Sequence, residues 1–107
     1  MHTLIMKREI YESNPWAAPN LYKAFSRAKK MALETNLSNT GACNYTLPWL
    51  IAEYESTVAA MGEDFWPYGI EANRPTLEAG IRYAYEQGLS GKKFAVEEIF
   101  APNTLKS

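Results

Sequence analysis

The sequence predicts a mostly α chain of three main helices preceded by one N-terminal strand whose sheet partners lie outside the sequence. Three observations carry this reading. Apolar residues recur at three- and four-residue spacing in three segments. Residues 2–8, "HTLIMKR", form one short apolar run with β-branched members, as a half-buried strand would. No second run reads as a strand, so the first has nothing in this chain to pair with.

In chain order, "EIYESN" after the strand reads as a helical turn. Asn14 before Pro15 has the pairing of a helix N-cap followed by proline at the first helical position. Pro19 lacks the N–H that would bond to the Pro15 carbonyl, so a break or kink is expected there, with the main helix running from about Asn20. Along it Leu21, Phe25, Ala28 and Ala32 share one face, and Lys23, Arg27, Lys30 and Glu34 another. The polar stretch "ETNLSNTGACNY" reads as a loop.

Thr46 is expected to cap a second helix, with Pro48 in its first turn and an apolar stripe of Leu47, Leu50, Ile51, Tyr54, Val58 and Met61. Gly62 sits where a left-handed terminating residue is wanted. The next stretch, "GEDFWPYGIEANRPTLEA", places Phe65, Trp66 and Tyr68 in a connection that would normally run over the surface. These rings are expected to lock the helix of residues 47–61 against that of residues 76–87. Asn73 or Arg74 begins this third helix, with Pro75 in its first turn and Leu77, Ile81, Ala84 and Tyr85 facing inward. Gly80 weakens it by about 1 kcal/mol relative to alanine unless close packing requires the missing side chain. Gly88 followed by Leu89 reads as a glycine cap with its apolar contact, and "VEEIF" as a last short helix before Pro102.

Composition narrows the function. At 107 residues the chain suits one domain with one core. A hydrophobic share of 47% and a charged share of 21% are those of an ordinary globular protein. A net charge of -1 provides no broad basic field, which argues against nucleic acid as partner. No apolar run approaches the roughly 20 residues that cross a bilayer. The start "MHTLIMKREI" lacks the long apolar centre and cleavage site of a secretory signal. Cys43 is the single cysteine, which excludes an internal disulfide and a cysteine-based zinc cage and fits a reducing, cytoplasmic setting.

Together the stretches "HTLIMKREIYESNPW", "LYKAFSRAKKMAL", "LPWL", "GEDFWPYGIEANRPTLEAGIRYAYEQGL" and "VEEIFAP" resemble the C-terminal third of the 4,5-dihydroxyphthalate decarboxylase family, over nearly all of residues 2–104. The resemblance implies that residues 1–107 are a single C-terminal segment of a protein about three times as long, with two α/β lobes around a ligand cleft. That fold resembles the periplasmic substrate-binding proteins of the nitrate, taurine and thiamine-precursor type. The strand of residues 2–8 would return to a sheet in one lobe. The implied activity belongs to bacterial phthalate degradation: a carbon-carbon lyase removing one carboxyl group from a dihydroxylated phthalate to give protocatechuate. It would need neither metal nor organic cofactor, and its partner would be a small aromatic carboxylate. A segment of this size is expected to be inactive alone. The alternative is a segment of a solute-binding protein that captures a small carboxylate without catalysis, because the same fold serves either.

Such chemistry needs a proton donor for the ring carbon and cations or helix N-termini for the carboxylates. His2, the only histidine, has the side chain whose ordinary pKa suits proton transfer near neutrality, and the resemblance places a histidine at this point. It is a catalytic candidate, or else a strand-terminal residue with a structural hydrogen bond. Arg74, at a helix start, is a ligand-binding candidate offering a fork of donors beside free backbone N–H groups, or else a surface arginine covering an aromatic face. Lys23, Arg27, Lys29 and Lys30 read as a solvated helix face, and Cys43 has no adjacent histidine to activate it. Glu53 and Glu55, two apart on a helix, diverge and do not form an acid–base pair. No phosphate loop, metal cluster or serine elbow is present in the sequence. A lone strand also leads to the expectation of a homo-oligomer or a strand-swapped dimer, in which residues 2–8 would find a partner.

Overall fold

The computed structural model describes residues 2–37 and 47–107. These form helices α1 (Arg8–Ser13), α2 (Ala17–Leu37), α3 (Leu50–Met61), α4 (Arg74–Glu86) and α5 (Val96–Ile99), followed by a 3-10 turn at Pro102–Thr104. No described helix is long and apolar enough to cross a membrane. The chain divides into two compact units: a first of Met1–Tyr22 with Tyr68–Ser107, and a second of Lys23–Pro67.

The mostly α content matches the sequence, but the N-terminal strand does not form. Residues 2–7 have no regular secondary structure, Arg8 already belongs to α1, and no strand exists among the described residues. The expected fold class, one strand of a two-lobed α/β periplasmic-binding-protein-like fold, is corrected on this point. A strand is defined by its neighbour's N–H and C=O groups; without one, an extended backbone meets its hydrogen bonds in water. The side chains agree, since Leu4 is 62% and Ile5 92% exposed.

The second correction concerns Pro15 and Pro19. Asn14 ends α1 instead of capping α2: its backbone N–H bonds to the Ile10 and Tyr11 carbonyls, and α2 starts only at Ala17. Pro19 therefore stands in the first turn, where N–H groups have no intrahelical acceptor, and its missing donor leaves nothing unsatisfied. α2 runs through it to Leu37 without a break. The remainder of the expected polar loop, with Cys43 and the expected cap Thr46, lies outside the described residues.

The buried core belongs to the first unit. Ile70, Leu77 and Val96 are buried, with Ile81, Phe100 and Leu105 packed against them, and α4 packs on α5. Leu77 and Ile81 were legible from helical spacing; Tyr85, expected inward, is 48% exposed. Gly88 has φ +72°, and the N–H groups of Gly88 and Leu89 bond back to the carbonyls of Tyr85 and Ala84. This is the two-bond glycine termination that the sequence implied. Its apolar contact is missing, because Leu89 is exposed. A methyl group on Gly80 would meet open space, so close packing does not explain that glycine. α5 starts with half of a capping box: Glu98 accepts from the Ala95 N–H at 2.7 Å, while alanine has no side-chain oxygen to return the bond.

In the second unit, Leu50, Ile51, Tyr54 and Val58 on α3 are half-buried, whereas Leu47 and Met61 are exposed. Trp49 takes the N-cap position, so Pro48 precedes α3 instead of entering its first turn. Gly62, at φ +86°, ends the helix. Lys29 of α2 is ion-paired with Asp64. Among the three loop rings, Phe65 meets Tyr54 edge-on, with centroids 6.0 Å apart and planes at 70°. Trp66 and Tyr68 remain 59% and 40% exposed.

Candidate functional site

Arg74 is the first residue of α4, followed by Pro75 at a position where no backbone N–H is needed. Asn73 ahead of it makes no side-chain cap; its amide reaches back and donates to the Gly69 carbonyl at 2.8 Å. The helix start brings the guanidinium without the free backbone N–H groups expected beside it: the N–H of Arg74 bonds to the Glu71 carbonyl at 3.4 Å, Pro75 has none, and that of Leu77 bonds to the Asn73 carbonyl.

What the sequence did not show is that carboxylates already surround this guanidinium. Its Nη1 donates to Glu97 Oε1 at 2.9 Å. Glu78 lies 3.8 Å away and Glu71 3.9 Å away. Three carboxylates face one cation, so the local balance is acidic. A ligand carboxylate arriving here would have to exchange with Glu97. Glu78 stands at i+4 from Arg74 on α4, a spacing legible in the sequence, whereas Glu71 lies in the turn before the helix. Glu97 comes from α5, and no local pattern announces it.

Titration of this cluster follows from these contacts. The hydrogen bond to Glu97 raises the pKa of Arg74. Glu97 is held below its ordinary value, first by its own backbone N–H and then by the Arg74 guanidinium. Glu98 is lowered by the Lys92 ammonium, 2.6 Å away, and then by the Ala95 N–H. A carboxylate with a depressed folded pKa stabilises the fold at pH above its unfolded value, and that contribution is lost as pH falls through the folded one. Arg74 stays charged throughout, so acid sensitivity lies in the glutamates. All these groups are solvent-exposed, and screening keeps the effect small. Arg74→Gln is expected to move the Glu97 titration upward toward its ordinary range while leaving Glu98 in place, read from side-chain carboxyl shifts by NMR. If Glu97 did not move, the guanidinium would not be holding it down.

His2, the other candidate, is exposed on the irregular segment ahead of α1. The partners of Arg74 are glutamates of α4, α5 and the preceding turn. Within the basic face of α2, Lys29 pairs with Asp64 and Lys30 with Glu34 at 3.7 Å. No group of three or more histidine, cysteine or acidic side chains placed to hold a metal occurs among the described residues.

No family model matches the chain. Over all 107 residues it is 36% identical to a 4,5-dihydroxyphthalate decarboxylase of Comamonas testosteroni, covering 32% of that protein. The aligned part is its C-terminal third, as the sequence stretches implied. The chain thus spans about a third of the length of this curated relative.

Proposed function

We propose, from this whole-length similarity, that the chain serves as the C-terminal part of a 4,5-dihydroxyphthalate decarboxylase-like enzyme and is inactive by itself. The observation that carries the reading is 36% identity sustained over every residue of the chain. In the reaction, the para hydroxyl pushes electrons into the ring so that the ring carbon bearing the carboxylate takes up a proton. The bond from that carbon to the carboxyl carbon then breaks, and its electron pair returns to the ring as the hydroxyl is restored. Carbon dioxide leaves, and the proton stays on the ring carbon. No oxidation state changes hands outside the substrate, so the protein's tasks are to hold carboxylates and deliver one proton.

Within this reading His2 is the proton donor and Arg74 the carboxylate partner. Exposure of His2 means that further polypeptide must enclose it before proton delivery can exclude water. The salt bridge to Glu97 means that substrate binding at Arg74 proceeds by exchange of one carboxylate for another.

A chimera tests the proposal: this chain replaces the C-terminal third of the Comamonas enzyme, and carbon dioxide release from 4,5-dihydroxyphthalate is measured. A folded chimera is expected to turn over within about two orders of magnitude of its parent, the range that mispositioning by about 1 Å allows. The isolated chain should show no turnover. A folded chimera that binds the dicarboxylate saturably without releasing carbon dioxide would favour a solute-binding module and overturn the decarboxylase reading.

A further inference from the structure

The first unit is assembled from two stretches far apart in sequence, Met1–Tyr22 and Tyr68–Ser107. Among the contacts of residues 101–107, one joins the two stretches and another closes onto a turn within the second stretch. The first is Asn103, in the C-terminal turn. Its Oδ1 accepts from the Tyr11 hydroxyl at 3.3 Å, and its Nδ2 donates to the Pro15 carbonyl at 2.8 Å. One amide thereby holds both α1 and the connection that follows it.

The second contact is Ser107. Its backbone oxygen accepts from two successive N–H groups, those of Ile70 and Glu71, each at 2.9 Å. Its hydroxyl accepts from the Ile70 N–H at 3.3 Å. Two neighbouring amides converging on one oxygen form a nest, a concavity suited to an oxygen carrying partial or full negative charge. The approach is close because residue 69 is glycine. Gly69 has φ +99°, and a methyl group there would lie 2.6 Å from the Ser107 carbonyl carbon and 3.1 Å from the Tyr22 hydroxyl. Asn73 braces the same turn through its bond to the Gly69 carbonyl. Between the two contacts, Leu105 packs on the Ile70–Leu77–Val96 core.

We propose that residues 101–107 are a latch that closes the first unit, with Asn103 and Ser107 as its two catches. Closed, the latch fills the nest at residues 69–71 and pins the N-terminal segment to the C-terminal turn. Released at Ser107, it leaves the Ile70 and Glu71 N–H groups open to solvent while α4 keeps its own hydrogen bonds. Released at Asn103, it frees residues 2–16. The latch is independent of the decarboxylase reading, since its contacts lie wholly within this chain.

Amide hydrogen exchange on the 107-residue chain tests the Ser107 catch, and limited trypsin digestion tests Asn103. Deleting Ser107 is expected to speed exchange at Ile70 and Glu71 about tenfold, the effect of losing one or two hydrogen bonds, with Leu77 unchanged. Asn103→Ala is expected to speed cleavage after Lys7 and Arg8 about fivefold, on the same hydrogen-bond scale. Unchanged exchange at Ile70 and Glu71 in the deletion variant would overturn the latch. So would a parallel loss of protection at Leu77, which would make Ser107 part of one cooperative core. Unchanged cleavage in Asn103→Ala would overturn the second catch.

Discussion

Ile70→Ala is expected to destabilise the first unit by about 2–4 kcal/mol, the range for truncating a buried isoleucine. Ile70 is 4% exposed and one of three buried residues among those described, so little neighbouring apolar mass can relax into the space it leaves. A small domain with a modest core has roughly 5 kcal/mol of stability in total, and a loss of this size brings it close to unfolding. Ile5 provides the control. It is the same residue type, 92% exposed in the irregular N-terminal segment, and Ile5→Ala should change stability by less than about 0.5 kcal/mol. Urea unfolding followed by circular dichroism distinguishes the two. Equal shifts in midpoint would mean that burial does not decide which isoleucine holds the unit.

This pair also shows where the sequence was legible. Local pattern finds a helix because the information lies within a few turns: Leu77 and Ile81 recur at four-residue spacing, and Gly88 sits where a terminating glycine belongs. Ile5 was misread because it and Thr3 are β-branched and have strand propensity, and strand propensity largely reports packing against neighbours that are absent around these residues. Ile70 went unnoticed for the opposite reason. It stands alone in an irregular turn, with no period to mark it, and becomes buried because α5 and the C-terminal residues close over that turn. Val96 was hidden likewise by the shortness of α5, four residues that present no repeating face.

The candidate site divides along the same line. Helical spacing placed Arg74 at a helix start, and the structure keeps it there. Its strongest partner, Glu97, is 23 positions away in the chain and arrives only through the packing of α5 on α4. A carboxylate-binding role for Arg74 is therefore a question of exchange, not of a waiting vacancy. Lys29 teaches a similar lesson, since a face that looked merely solvated holds an ion pair to Asp64 from the far side of α3.

Gly69→Ala should be costlier than Gly88→Ala, at about 3 kcal/mol. Alanine at Gly88 should cost only about 1–2 kcal/mol, the penalty for placing a Cβ in left-handed backbone. Both glycines have positive φ, +99° and +72°, so the sign of φ does not separate them. They differ in what the new methyl group meets. Beside Gly88 there is open space, whereas beside Gly69 the methyl group would stand 2.6 Å from the Ser107 backbone. Backbone cannot rotate aside as a flexible side chain would, so Ser107 must leave its place. The Ile70 and Glu71 N–H groups then lose their acceptor at a cost of about 1 kcal/mol each, less whatever water restores. Urea midpoints for the Gly69 and Gly88 alanine variants measure the difference. Equal shifts would mean that Ser107 contributes nothing beyond the turn's own strain, and that the close approach at Gly69 is incidental to stability.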